Sequence, residues 1–156
     1  MSAKNATLTF MVGSSKKEFD KILPILEILG KKIHHIGEFG SGMSVKVLNN
    51  FVASCSVVAV RHVLSEAKNL NITTKQLLNI LNCSSGQTWF SENLDNIDWA
   101  KESYTQNNTI AILEKDVKSY LDGLANSKNK TNSAMVNFQN ALIKGLQNIP
   151  KYPNDD

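Results

Sequence analysis

A chain of 156 residues, 42% of them hydrophobic and 20% charged, can bury one sizeable core, and a single domain is the starting expectation. Its net charge of +3 comes from scattered lysines, which argues against the basic stripe of a nucleic-acid-binding protein. With 8 Gly and 3 Pro it is poor in turn residues for a sandwich, and no apolar run reads as long enough and free enough of polar residues to span a membrane.

The opening Met1–Phe10 has neither a signal-peptide core nor an Arg-rich presequence pattern, so the expected location is cytoplasmic. Thr7–Val12 is rich in β-formers and closes on Gly13-Ser14-Ser15, which predicts a strand and a turn. Ser15 with Glu18 three residues later makes a capping-box pattern for a helix through Phe19, Ile22, Leu23, Leu26 and Leu29. Gly30 stops that helix, and Pro24 inside it predicts a kink or a break. Lys32–Gly37 is a second short strand. Two strands make a poor sheet alone, so they read as the edge of a larger one.

Everything afterwards is helical. Met43 to Leu70 forms one long segment, apolar on nearly every face and therefore expected to be buried in a fold or between subunits. Thr73 or Thr74 caps a helix through Leu81 that ends near Ser84-Ser85-Gly86. Trp89 to Ser103 has no clear period, and Trp89, Phe90 and Trp99 read as packing residues. Thr109–Ala125 and Ser133–Ile149 are amphipathic helices joined by the polar loop Asn126–Asn132. The tail from Pro150 is expected to fray. Cys55 and Cys83 fall in helical apolar patterns and read as reduced thiols, and His34-His35 lacks partners at metal-ligand spacing, so no metal site is expected.

The stretch from Gly40 to Asn50 carries the chemistry. Two glycines, Gly40 and Gly42, precede a helix start, where bare amides and the helix dipole favour an anion. Lys46 and Asn50 are four apart and share a face. Burial would lower the Lys46 pKa toward acid–base work; the plainer reading is a solvated lysine on a protruding first turn.

Gly-x-Gly-x-x-x-Lys-x-x-x-Asn over residues 40–50 resembles the catalytic motif of the β-hydroxyacid dehydrogenases. That family includes 3-hydroxyisobutyrate, tartronate semialdehyde and glyoxylate/succinic semialdehyde enzymes, with 6-phosphogluconate dehydrogenase more distant. Leu8–Gly13 is similar to the strand that ends their Rossmann domain, Ser84-Ser85-Gly86 with Trp89 to their Ser-Ser-Gly-x-x-Trp segment, and Lys115-Asp116 to their Lys-Asp pair. The resemblance implies a mainly α fold: a β-α-β remnant of a Rossmann domain over residues 1–37, a 6-phosphogluconate dehydrogenase C-terminal-like helical domain over 38–150, and a tail over 151–156. It implies Lys46 as general acid/base, Asn50, Gly40 and Gly42 at the substrate, and Lys115 at an NAD or NADP cofactor, with Asp116 steadying its helix. The substrate would be a small hydroxy acid, and the assembly a homodimer with no nucleic-acid or membrane partner.

Several features depart from the family pattern. No Gly-x-Gly-x-x-Gly fingerprint occurs, and the Ser-Gly-Gly substrate loop would fall just before Met1. His62 stands where an acidic residue is usual, and Asn108 where a Phe is common. The first expectation is therefore a C-terminal part of an NAD(P)-dependent oxidoreductase that holds no cofactor tightly by itself. The rival expectation is a non-catalytic helical dimerisation module or truncated remnant; an unrelated helical bundle would leave the opening β-α-β unexplained.

Overall fold

The computed structural model describes residues 5–125 and 132–153. It divides into two compact units, Met1–Asn49 and Asn50–Asp156.

The first unit is the expected β-α-β. Strand β1 (Leu8–Gly13) pairs in parallel with β2 (Gly30–Gly37), and α1 (Lys16–Leu29) makes the crossover that parallel strands require. Ser15 caps α1 as predicted: its side chain accepts from the Glu18 amide while the Glu18 carboxylate accepts from Ser15 N and Oγ. Pro24 neither breaks nor shortens α1. Asp20 and Pro24 are both exposed, so the carbonyl deprived of its donor can be solvated. Phe19 is buried and stacks on His35 at 4.6 Å, and His35 Nε2 meets the Ser14 carbonyl at 2.7 Å.

The apolar arc of α1 is wider than two strands can cover. Leu23 and Leu26 are half-buried, while Ile22, Ile25, Ile28 and Leu29 are exposed. Strand β1 is uncharged throughout, like a strand buried on both faces, whereas β2 exposes Lys31, Lys32 and His34, as edge strands do.

Helix α2 (Ser41–Asn69) begins in this unit. A Cβ on Gly42 would lie 2.2 Å from the Met11 carbonyl oxygen, and one on Gly13 would lie 2.8 Å from Gly42 N. The start of α2 therefore packs backbone to backbone on the end of β1, which brings residues 38–49 into the first unit. The sequence places the boundary at 37/38.

The second unit contains the rest of α2, then α3 (Thr74–Asn82), α4 (Trp89–Glu92), a 3₁₀ turn (Leu94–Asn96), α5 (Thr109–Ala125) and α6 (Ser133–Gln147). Thr73 caps α3 through a capping box with Gln76, and Thr88 caps α4 through Ser91. Val57, Val60, Leu64, Phe90, Leu94, Ile110, Leu113, Val117, Leu142 and Leu146 form the core. The β-α-β and the helical remainder make the mainly α fold expected.

Within this chain α2 packs one side on the core and exposes the other. Ser54, Val57, Val60, Arg61 and Leu64 face the core, while Val52 and Val63 are 64% and 43% exposed. By length and composition alone α2 is apolar enough to cross a membrane, with mean hydropathy 1.5, so the sequence reading that no run qualifies is corrected. Its buried face is that of a packed core helix, and Arg61 sits in the middle of that face.

Arg61 is 1% exposed. Its guanidinium donates to the carbonyls of Ala100 at 2.7 Å, Glu102 at 2.8 Å and Pro150, and lies 5.6 Å from the Tyr152 ring centroid. Lys101 reaches the same ring at 5.1 Å. This ties down the segment expected to fray: Ile149 is buried and Tyr152 half-buried. Residues 154–156, and 126–131 of the expected polar loop, lie outside the described residues. Among the aromatics, Phe90 is buried and stacks on Trp99, but Trp89 is 57% exposed and does not pack as expected.

Arg61→Ala would leave three carbonyls without their charged donor, each such bond contributing roughly 1.5–3 kcal/mol. We expect Arg61→Ala to lower unfolding stability by about 3 kcal/mol or more in urea titration, with Arg61→Lys recovering less than half because an ammonium lacks the planar fork. A loss below about 1 kcal/mol would contradict the clamp.

Candidate functional site

Lys46 is exposed on the first turns of α2, which matches the solvated-lysine reading and not the buried one. Gly40 has φ of +90°, a conformation that favours glycine, and nothing lies within 4 Å of where a Cβ would sit. Gly42 has a different reason to be glycine, its contact with β1.

Asn50 is half-buried, and its Nδ2 donates to Asp116 Oδ2 at 2.5 Å. Asp116 is on α5 and 6% exposed. The bond joins the two motifs that sequence reading had placed 66 residues apart. A carboxyl accepting from the amide fixes which end of Asn50 is nitrogen, and so fixes where its carbonyl oxygen points. One turn further along α2, the buried Ser54 hydroxyl donates to the main-chain carbonyl of Asn50 at 2.7 Å.

Lys115, next to Asp116, is exposed beside an open cleft of about 380 Å³ lined by Tyr104, Asn108, Ile112, Glu114 and Lys118. Asn108, read as a departure from a common Phe, caps α5: its Oδ1 accepts from Ala111 N and its Nδ2 donates to Ser103 O. The glycine of the Ser-Ser-Gly segment, Gly86, packs on Leu81. His62 is exposed.

Sequence reading missed the group beneath this cleft. Glu114 is 5% exposed and accepts from Tyr104 at 2.5 Å, from Gln147 of α6 at 2.8 Å, and from Lys118. Burial alone would raise its pKa. The hydrogen bonds from Lys118, Tyr104 and Gln147, with the Lys118 charge, outweigh burial and hold the carboxyl below its ordinary value. The Tyr104 hydroxyl is pushed up, first by its bond to Glu114 and then by burial. The signal was available: Glu114 lies one turn after Ile110 and three residues before Val117, beside the apolar face of α5, with Asp116 at its opposite edge. Among the described residues no group of three or more His, Cys, Asp or Glu could hold a metal ion.

Residues 40–145 match the family described as NAD-binding of NADP-dependent 3-hydroxyisobutyrate dehydrogenase, and residues 1–37 match the NAD binding domain of 6-phosphogluconate dehydrogenase. The mitochondrial 3-hydroxyisobutyrate dehydrogenase of Drosophila melanogaster is 31% identical over 94% of this chain and 48% of its own length. The 2-(hydroxymethyl)glutarate dehydrogenase of Eubacterium barkeri is 34% identical over 58% of this chain and 30% of its own. A Mycobacterium tuberculosis 3-hydroxyisobutyrate dehydrogenase solved with L-serine superposes with a TM-score of 0.72 at 23% identity, over 94% of this chain and 50% of that one. The chain thus spans about half the length, or less, of the relatives it matches.

Because the folded-state pKa of Glu114 is depressed, its contribution to stability is present above the ordinary value of 4.5 and is lost as pH falls through the lower folded value. We expect the melting temperature to fall more steeply between about pH 5 and pH 3 in the native chain than in Glu114→Gln. Parallel acid limbs would show that Glu114 gains nothing from its three partners.

Proposed function

This chain belongs to the β-hydroxyacid dehydrogenase family, and we propose that it supplies the substrate-handling half of an NAD(P)-dependent oxidoreductase for a small β-hydroxy acid. The Asn50–Asp116 bond carries the reading, because it joins the Gly-x-Gly-x-x-x-Lys-x-x-x-Asn motif to the Lys-Asp pair. The names of the relatives point to one substrate class. 3-Hydroxyisobutyrate, 2-(hydroxymethyl)glutarate and L-serine each carry a primary hydroxyl β to a carboxylate and differ at the carbon between them.

In this reading Lys46 accepts the hydroxyl proton during oxidation and returns it in reduction. Asn50, held by Asp116, presents its amide carbonyl to the substrate from four residues further along α2. Gly40 and Gly42 supply the bare backbone at the head of that helix, and Lys115 contributes a cation toward the cofactor. A nicotinamide supplies the hydride acceptor in such an oxidation. These 156 residues alone do not fit a dinucleotide: there is no Gly-x-Gly-x-x-Gly, and the Glu18 carboxylate already occupies the N-terminus of α1. Tight NAD(P) binding is not expected from them, and the proposed domains remain 1–37, 38–150 and the tail.

The exposed Met43, Leu48 and Val52 of α2 support a homodimer through this helix, and with it the second reading, a helical dimerisation module without catalysis. The proposed location is cytoplasmic, although several relatives are named as mitochondrial.

Three measurements bear on this. In a polypeptide joining this chain to a nucleotide-binding half, Lys46→Ala should lower kcat by about 10²–10⁴-fold with little change in KM; normal turnover would reject the assignment. Calorimetric titration of the 156-residue chain with NAD and NADP should show no micromolar binding. Light scattering at micromolar concentration should report twice the 17.2 kDa chain mass, and a clean monomer would remove the dimer.

A further inference from the structure

Gln139 of α6 is fully buried, yet neither its Nε2 nor its Oε1 has a hydrogen-bond partner among the described residues. Burying an amide without partners is costly, and folded interiors almost always supply them. The helix register shows what surrounds it. Gly145 of α6 sits against the Val58 side chain, and Phe138 meets Phe51 edge-on at 5.7 Å. Each pair is seven residues from the other on both helices, so α6 runs in the same direction as α2 here. Gln139 therefore lies level with the turn of α2 from Phe51 to Ser54. On the α5 side, Tyr120 meets Phe51 at 5.2 Å and Gln147 of α6 meets Glu114, which closes the space from the third helix.

The buried polar side chain on that turn is Ser54, whose hydroxyl donates to the main-chain carbonyl of Asn50 at 2.7 Å, leaving lone pairs that can accept. An amide with one donor end and one acceptor end both unmatched requires a partner that donates and accepts. At zero exposure nothing larger than water enters without opening the helices.

We propose that one internal water, held by Gln139, bridges α6 to Ser54 and through it to the main-chain carbonyl of Asn50, so that Gln139 steadies the turn of α2 on which Asn50 stands. The consequence for substrate orientation rests on the role proposed for Asn50; the water does not. It gives the amide of Gln139 both partners and ties α6 to the same turn that Asp116 holds from α5.

The test uses the ¹⁵N-labelled 156-residue chain and no activity, so its failure leaves the dehydrogenase reading standing. Water-selective NMR should show cross-relaxation of long residence between bulk-exchanging water and the Gln139 side-chain NH₂. In Gln139→Leu that signal should vanish and the Ser54 backbone amide should exchange about tenfold faster, with amides in α3 unchanged. If Gln139→Leu does not fold, Gln139→Met keeps the length of the side chain and serves the same comparison, and the native-chain water signal decides on its own. Absence of a long-lived water at the Gln139 amide would overturn the proposal. So would a Gln139→Leu or Gln139→Met variant with a raised melting temperature and an unchanged Ser54 amide.

Discussion

Asp116 is a carboxyl buried against a helical core, and such a group persists only where a donor meets it. Asn50 is one such donor, at 2.5 Å, and it stands on α2. α2 and α5 cannot slide or rotate against each other without breaking this bond. The apolar pairs around it, Phe51 with Tyr120 and with Phe138, add area but would tolerate several registers. The polar pair specifies one. It also fixes the amide orientation of the residue on which substrate recognition is proposed to depend.

Two other buried polar groups in the second unit work by the same physics. Arg61 gathers three backbone carbonyls from chain segments as far apart as Ala100 and Pro150. Glu114 gathers a phenol, an amide and an ammonium from the approach to α5, from α6 and from α5 itself. Each would be costly if left unpaired, and each is paired by several donors or acceptors. Between them lies an apolar core that fixes compactness but not orientation. The exposed residues proposed to do chemistry, Lys46 and Lys115, stand next in chain to groups anchored this way or on the same helix.

The parts of this architecture that were legible in the sequence are local ones. Ser15 with Glu18 is a capping box whose partners lie three residues apart, and it formed; of the two caps read for α3, Thr73 is the one used. Helix spans followed from apolar spacing, and the β-α-β from two short runs of β-formers. What failed to show depended on partners far away in the chain. Pro24 predicted a kink or a break, and the helix continues through it because exposure of that turn lets the freed carbonyl be solvated. The tail read as loose because Arg61, its anchor, lies 89 residues from Pro150. α2 read as buried in a fold or between subunits, and composition could not say which of its sides meets the core of this chain. Lys46, Asn50 and Lys115 were found through a motif, whereas Glu114 was overlooked although it lies beside the apolar face of its own helix.

The Asn50–Asp116 bond links α2 to α5, and a double-mutant cycle measures that link. Asn50→Ala, Asp116→Ala and the double variant would be unfolded in urea and compared with the native chain. A coupling of about 1–3 kcal/mol is expected, since either single change already removes the bond between the two side chains and the second change cannot remove it again. Additive effects, within about 0.3–0.5 kcal/mol, would contradict it and reduce the contact to adjacency.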